Sequence, residues 1–303
     1  MKALITGIGG FVGPYLAREL LNHNVEVFGI DIVDSSIDNV DVFKVDITNR
    51  DDVEGVIAEI EPDYVFHLAG FSSVEKSFVQ PELVKKINVG GTKNLLDSIA
   101  NLSLDPVILV VSSSHVYGVP HEIPIDESHP LNPNSPYAES RVEQERLCKS
   151  YKLRIIISRS FNHTGPGQPP IFVASDFAKQ VAEIEKGKRE PVILVGDLNT
   201  ERDFSDVRDI VRAYVLAVQK ATPGETYNIC SGHGYKIRDI LNIFISMSPA
   251  KITVKVDPDK VRPSDVPVLV GSHDKFTKQT GWQPSIPIEQ TLRDILEYWR
   301  KSI

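Results

Sequence analysis

Thr6-Gly7-Ile8-Gly9-Gly10-Phe11-Val12-Gly13 joins a short apolar run, Ala3–Thr6, to an amphipathic stretch carrying Tyr15, Leu16, Leu20 and Leu21. Spacing decides between two templates. G-x-G-x-x-G needs glycine at position 12, where the chain has Val12, whereas G-x-x-G-x-x-G is met by Gly7, Gly10 and Gly13. Residues without a Cβ allow a tight strand-to-helix turn. They also let backbone N–H groups, those of Phe11 and Val12 among them, approach a pyrophosphate at the helix N-terminus. No lysine of the Walker type follows the glycines, so an ATPase loop is excluded. The turn predicts a dinucleotide site.

Outward from the turn, apolar runs alternate with helical patterns. Val25–Ile30, Val42–Val45, Tyr64–Leu68, Val107–Val111 and Leu153–Ser158 read as strands; Val53, Ile57 and Ile60, then Leu83, Ile87, Leu95, Leu96 and Ile99, recur at helical spacing. Strands buried on both faces read as continuous apolar runs. The pattern therefore predicts an α/β fold with a Rossmann-type, doubly wound parallel sheet. Asp31 ends the second strand, close to the ~20-residue offset at which a carboxylate accepts from adenosine ribose hydroxyls. It repels a 2′-phosphate and no arginine follows it closely, which favours NAD(H) over NADP(H), with Asp34 an alternative carboxylate. Asp46-Ile47, after the third strand, is placed for an adenine contact.

The rhythm changes after Phe161, where Gly165, Pro166, Gly167, Pro169 and Pro170 form a rigid loop. This predicts a dinucleotide domain over 1–161. Residues 162–303 then form mainly a smaller α/β substrate domain, with some segments returning to the first sheet; Asp206–Lys220 and Leu292–Trp299 read as helices. The 303 residues carry a formal charge of -8 and are 41% apolar, ordinary globular composition. An acidic balance argues against wrapping nucleic acid or lying on an anionic membrane. The longest apolar run, Ala213–Val218, falls far short of the ~18 residues that span a bilayer. No signal-peptide pattern follows Met1-Lys2, and Cys148 and Cys230 have no motif spacing, so a cytoplasmic protein is expected. The eight histidines form no H-E-x-x-H motif, so no metal site is expected, and a hydrolase elbow is missing.

A second cluster carries the chemistry. Ser135-Pro136 opens a helix on which Tyr137 and Arg141, four apart, share a face. A cation beside a phenol favours the phenolate, making the tyrosine a usable proton donor and acceptor. Val107–Val111 runs into Ser112-Ser113-Ser114-His115-Val116-Tyr117-Gly118, placing hydroxyls at a strand's carboxyl end; periodicity does not say which serine faces the site.

The glycine turn, His67-Leu68-Ala69-Gly70, Asn88 ahead of Gly91-Thr92, the serine run and the tyrosine helix together resemble the extended short-chain dehydrogenase/reductases, over nearly the whole chain. The resemblance implies that Ser113, four residues before Tyr117, is the catalytic hydroxyl and Tyr137 the acid/base. It places Leu68, Ala69, Gly70 and Asn88 around the cofactor. It also implies a homodimer built from helices near Leu83–Ala100 and Tyr137–Lys149. One departure stands out: the family has lysine where this chain has Arg141, which keeps the charge with a different geometry.

Arg159–Gln168, Gly196-Asp197-Leu198, Arg202–Asp209 and Val261–Pro267 look like the GDP-mannose branch of that family, most similar to its GDP-4-keto-6-deoxy-D-mannose reductases and next to its GDP-mannose 4,6-dehydratases. A GDP-sugar is the expected substrate. Arg202 and Arg262 suit its diphosphate, Asn162 a phosphate or sugar oxygen, and His115 is a further substrate contact, with Phe172, Asp176 and Phe177 candidates for the base. Reaction type turns on the residues just after Ser113. A dehydratase needs an additional acid/base there, usually a carboxylate; this chain has Ser114 and His115, of which the histidine could serve as a base. The missing carboxylate favours 4-keto reduction, and the resemblance implies GDP-D-rhamnose as the product. Dehydration, 4-epimerisation and a cofactor-binding protein with little turnover remain the alternatives.

Overall fold

The computed structural model describes residues 1–260 and 266–303. Its strands are β1 (Lys2–Thr6), β2 (Glu26–Asp31), β3 (Asp41–Lys44), β4 (Tyr64–His67), β5 (Val107–Ser113), β6 (Arg154–Ser160), β7 (Asn162–Thr164), β8 (Val192–Val195), β9 (Glu201–Asp206), β10 (Thr226–Ile229), β11 (Gly234–Lys236), β12 (Thr253–Val256) and β13 (Val268–Leu269). Seven of them form one sheet in the order β10-β6-β5-β4-β1-β2-β3. Every pairing in it is parallel.

The β-branched runs explain why this sheet lies inside. Alternate residues of β1 and β5 feed opposite faces. Leu4, Ile108 and Val110 pack with Val53, Ile57, Leu95 and Ile99 from the helices Arg50–Ile60 and Thr92–Asn101. Ala3, Ile5 and Leu109 pack with Leu16, Leu20, Ile210 and Tyr214 from the helices Gly13–Asn22 and Val207–Lys220. The strand order reverses beside β1, which has β2 on one side and β4 on the other. Ligands of open α/β sheets bind outside the carboxyl ends of the strands at such a point.

The second lobe carries a four-stranded sheet of β7, β9, β11 and β13 and a two-stranded parallel pair, β8 with β12. The helices Val173–Glu185, Ile237–Ser246 and Ile288–Ser302 enclose its own core of Phe177, Val181, Ile240, Phe244, Leu292 and Ile295. The chain crosses between lobes more than once, because Val207–Lys220 and β10 belong to the first sheet's layers. A small seam cluster that includes Tyr117, Phe161, Cys230 and Leu269 lies between them.

The helix suggested by Leu83 to Ile99 runs without a gap from Pro81 to Asn101, with a π-helical turn at Lys86–Gly91 set between the α-helical stretches Pro81–Lys85 and Thr92–Asn101. Among the described residues no helix is long and apolar enough to cross a membrane, and no His, Cys, Asp and Glu side chains cluster as a metal site. Both cysteines are buried and free.

Candidate active site

At the end of β1 the chain turns through Gly7 at φ +72°, with the Gly7 N–H bonded to the Ile30 carbonyl at 2.8 Å. A Cβ on Gly7 would stand 2.8 Å from the Ala69 backbone, and one on Gly13 2.1 Å from the Ile8 carbonyl oxygen. Both glycines are therefore demanded by close backbone approach. The helix Gly13–Asn22 starts at Val12 with no side-chain cap, which leaves its first N–H groups for another acceptor. Asp31 sits against this turn, accepting from the N–H groups of Gly9 at 2.9 Å and Val33 at 3.2 Å. Asp34 is turned instead to Lys44 at 2.7 Å. Ser35 Oγ, also beside Gly9, is buried without a partner. Asp46 is exposed and Ile47 is buried beneath Gly91.

Across the turn, Leu68, Ala69 and Gly70 follow β4. His67 is buried between Thr6 Oγ1 at 2.7 Å and Thr92 Oγ1 at 2.8 Å. Burial, seconded by the Arg141 charge, depresses its pKa to about 3, so the ring is neutral. The Asn88 carboxamide is spent internally: Oδ1 accepts from the Phe71 N–H at 2.7 Å and Nδ2 donates to Ser140 Oγ at 2.9 Å. Asn88 thus supports the loop after Gly70 through its side chain rather than offering a free carboxamide to a ligand.

The serine run is resolved by its partners. Ser112 Oγ donates to Glu145 at 2.6 Å, and Glu145 is locked to Arg159 at 2.7 Å, all within the core. Ser113 points the other way along the strand, and its Oγ accepts the His115 N–H at 3.2 Å, which leaves its own hydrogen to donate elsewhere. Ser135 caps the tyrosine helix Pro136–Lys149 by accepting from Ala138 N–H at 3.2 Å. On that helix Tyr137 meets the edge of His115, ring centroids 5.9 Å apart, and the Arg141 guanidinium lies 5.3 Å from the Tyr137 ring centroid. Arg141 Nη1 donates to Val111 O at 3.1 Å and Gln144 Oε1 at 2.9 Å, while its buried Nε has no partner.

The second-lobe residues are less concentrated. Asn162 is half-buried in β7 just past β6, and Arg202 is buried in β9 with Nη1 on the Glu201 carbonyl at 2.9 Å. Phe177 belongs to the second core, and Asp176 is paired with Lys260 at 2.8 Å. Arg262 lies outside the described residues. Tyr15 and His163 carry no functional signature in the sequence. Tyr15 donates to Pro166 O at 2.7 Å, and His163 stacks on Phe11 at 6.3 Å, joining the glycine turn to the second lobe. Gln144, a polar residue three positions past Arg141 on the same helix, belongs to no motif either.

The family model described as GDP-mannose 4,6 dehydratase matches residues 4–295. The chain belongs to that family. A GDP-6-deoxy-D-mannose reductase of Pseudomonas aeruginosa is 32% identical over 100% of this chain and 98% of its own. Among solved structures, RMD from Pseudomonas aeruginosa complexed with NADPH superposes with a TM-score of 0.89 at 32% identity, covering 100% of this chain and 99% of that one. Thermus thermophilus UDP-glucose 4-epimerase, in complex with NAD, gives 0.90 at 28% identity over 100% of both chains. This family member is an oxidoreductase of the extended short-chain type that uses a nicotinamide dinucleotide. Its residues fit that group: an uncapped helix start behind closely packed glycines, and two buried polar atoms, Ser35 Oγ and Arg141 Nε, lacking partners.

Proposed function

We propose that the chain reduces the 4-keto group of GDP-4-keto-6-deoxy-D-mannose, giving GDP-D-rhamnose. The observation that carries this reading is the end of β5. Ser113 has a hydroxyl hydrogen to give and Tyr137 lies nearby on its helix, while the next positions, Ser114 and His115, hold no carboxylate for dehydration. The neighbouring buried carboxylate, Glu145, is engaged by Arg159 and Ser112.

The glycine turn with Phe11 and Val12 would hold the pyrophosphate, Asp31 the adenosine ribose, and Tyr137 and Arg141 the nicotinamide side. The reduced nicotinamide supplies the hydride. Tyr137 gives its phenolic proton to the keto oxygen, and Ser113 hydrogen-bonds that oxygen as charge develops on it. Residues 1–161 serve mainly the cofactor and 162–303 mainly the sugar nucleotide, with Asn162, Arg202 and Arg262 toward the diphosphate and sugar. Asp31 supports NADH: its carboxylate is fixed at the glycine turn, and nearby Lys44 is already paired with Asp34. The protein is cytoplasmic in this reading, and a homodimer through the exposed Phe78, Val79 and Leu83 beside the tyrosine helix.

The test is incubation of the purified chain with GDP-4-keto-6-deoxy-D-mannose and NADH or NADPH, following cofactor absorbance and the configuration at carbon 4. Stoichiometric cofactor oxidation, faster with NADH, is expected. No oxidation overturns reduction. Water loss from GDP-mannose restores the dehydratase, and interconversion without net cofactor use restores the epimerase. Sedimentation velocity reads the dimer.

A further inference from the structure

Arginine in a lysine's place raises a geometric question that the surroundings of Arg141 answer. A lysine presents all its donors from one atom, whereas a guanidinium presents a rigid fork. Here one arm of the fork is anchored, with Nη1 on Val111 O at 3.1 Å and on Gln144 Oε1 at 2.9 Å. The other arm passes so close to Gly70 that a Cβ there would stand 2.7 Å from Nη2. Nε is buried and unpartnered.

Gln144 is completely buried, and the polarity of its carboxamide is set from behind. Thr92 Oγ1 spends its hydrogen on Asn88 O at 2.6 Å, so it can only accept from Gln144 Nε2 at 2.7 Å. By the same logic the neutral His67 donates to Thr92 from Nε2 and accepts from Thr6 at Nδ1. Gln144 Oε1 must then face Arg141; the flipped amide would put two donors against each other. The anchor is built, and it reaches back through Thr92 and His67 to the end of β1.

We propose that Gln144 is a positioning residue for cofactor binding. Together with Val111 O it ties down Nη1, so that Nη2 and Nε are presented to the hydroxyls of the nicotinamide-side ribose. Gly70 is the space that this arrangement needs. The proposal rests on reading Arg141 as the ribose ligand, and the experiment separates the two.

Dissociation constants are measured for ADP and for whichever of NADH and NADPH binds the parent more tightly. ADP lacks the nicotinamide-side ribose. Gln144→Leu removes the anchor at similar volume, and about a 10-fold loss of dinucleotide affinity is expected, the effect of loosening one hydrogen bond to a charged group. ADP should bind as it does to the parent, and the KM for the dinucleotide should rise more than kcat falls. Gln144→Glu keeps an acceptor for Arg141 and should retain most of the affinity. Gly70→Ala, which crowds Nη2 from the opposite side, should repeat the Gln144→Leu pattern and serves if that variant fails to fold. Unchanged dinucleotide affinity in Gln144→Leu, or equal loss for ADP, overturns the proposal. Arg141→Ala binding dinucleotide as the parent does would instead overturn the reading beneath it.

Discussion

The buried pair behind Ser113 offers the sharpest quantitative prediction. Glu145 and Arg159 side chains are 2% and 4% exposed, and their carboxylate and guanidinium meet through both Nε and Nη2, at 3.0 and 2.7 Å. Glu145 also accepts from Ser112, and Arg159 Nη1 donates to Tyr117 OH at 3.0 Å, itself bonded to Asn228 at 2.7 Å. Glu145→Gln keeps the volume but leaves a cation in the core with no counter-charge. Breaking such a pair from one side costs ~3–5 kcal/mol. Against a total stability of ~5–15 kcal/mol for a typical domain, that is a large fraction. Replacing both partners, Glu145→Leu with Arg159→Met, removes the uncompensated charge and should recover most of the loss. Urea unfolding followed by tryptophan fluorescence suits the test, because Trp282 lies in the first lobe's core and Trp299 against the second's. A Glu145→Gln loss below ~1 kcal/mol, or a double variant as unstable as the single one, refutes the reasoning.

Tyr137→Phe keeps a ring that is 7% exposed, so the urea midpoint should hold while kcat for the keto sugar falls ~10²–10⁴-fold; a kcat within a few-fold of the parent rejects Tyr137 as the proton donor. His67 has its folded pKa depressed to about 3 from 6.5, so the stability it contributes is full above pH 6.5 and is lost as pH falls toward 3. At about pH 4.5 its share of the loss is ~3 kcal/mol, read as the difference in pH-dependence of urea unfolding between the parent and His67→Gln; identical pH curves count against it. Gly13→Ala drives a methyl to 2.1 Å from the Ile8 carbonyl oxygen. It should cost ~1–3 kcal/mol and weaken dinucleotide binding, and normal stability with normal binding in titration contradicts that account.

Much of this was legible along the chain, and the legible part is local. Gly7, Gly10 and Gly13 declare themselves because the turn's constraints fall within seven residues, and Tyr137 with Arg141 because helix geometry repeats over four. The apolar runs declared the sheet because burial on both faces leaves no room for polar alternation. Three adjacent serines, by contrast, look alike in sequence; what separates them is that Ser112 reaches Glu145, 33 positions on. β10 is four residues long and lies beyond the loop where the rhythm changes, so nothing in its composition announces that it pairs with β6. The π-helical turn at Lys86–Gly91 escapes periodicity for a related reason, since it adds a residue within a continuous helix without removing the apolar pattern on either side.

Polar partnership is the layer that periodicity cannot carry, and the site depends on it. Thr6, His67, Thr92 and Gln144 come from β1, β4 and two helices, and the hydrogen bonds that join them span 61, 25 and 52 positions. Each is an ordinary residue in its own segment. Together they decide the tautomer of a histidine and the direction of an amide, and so which atoms of Arg141 remain for a ligand. A usable signal did exist. Gln144 falls three residues after Arg141 and seven after Tyr137, so the helix turns all three to one face. A polar side chain placed there is buried with them, and burial obliges it to have a partner. An arginine standing where the family has lysine is therefore judged with the residue three positions beyond it: with an acceptor at that position, the larger cation has a fixed arm and a defined reach; with an aliphatic residue there, the Val111 carbonyl alone would hold that arm.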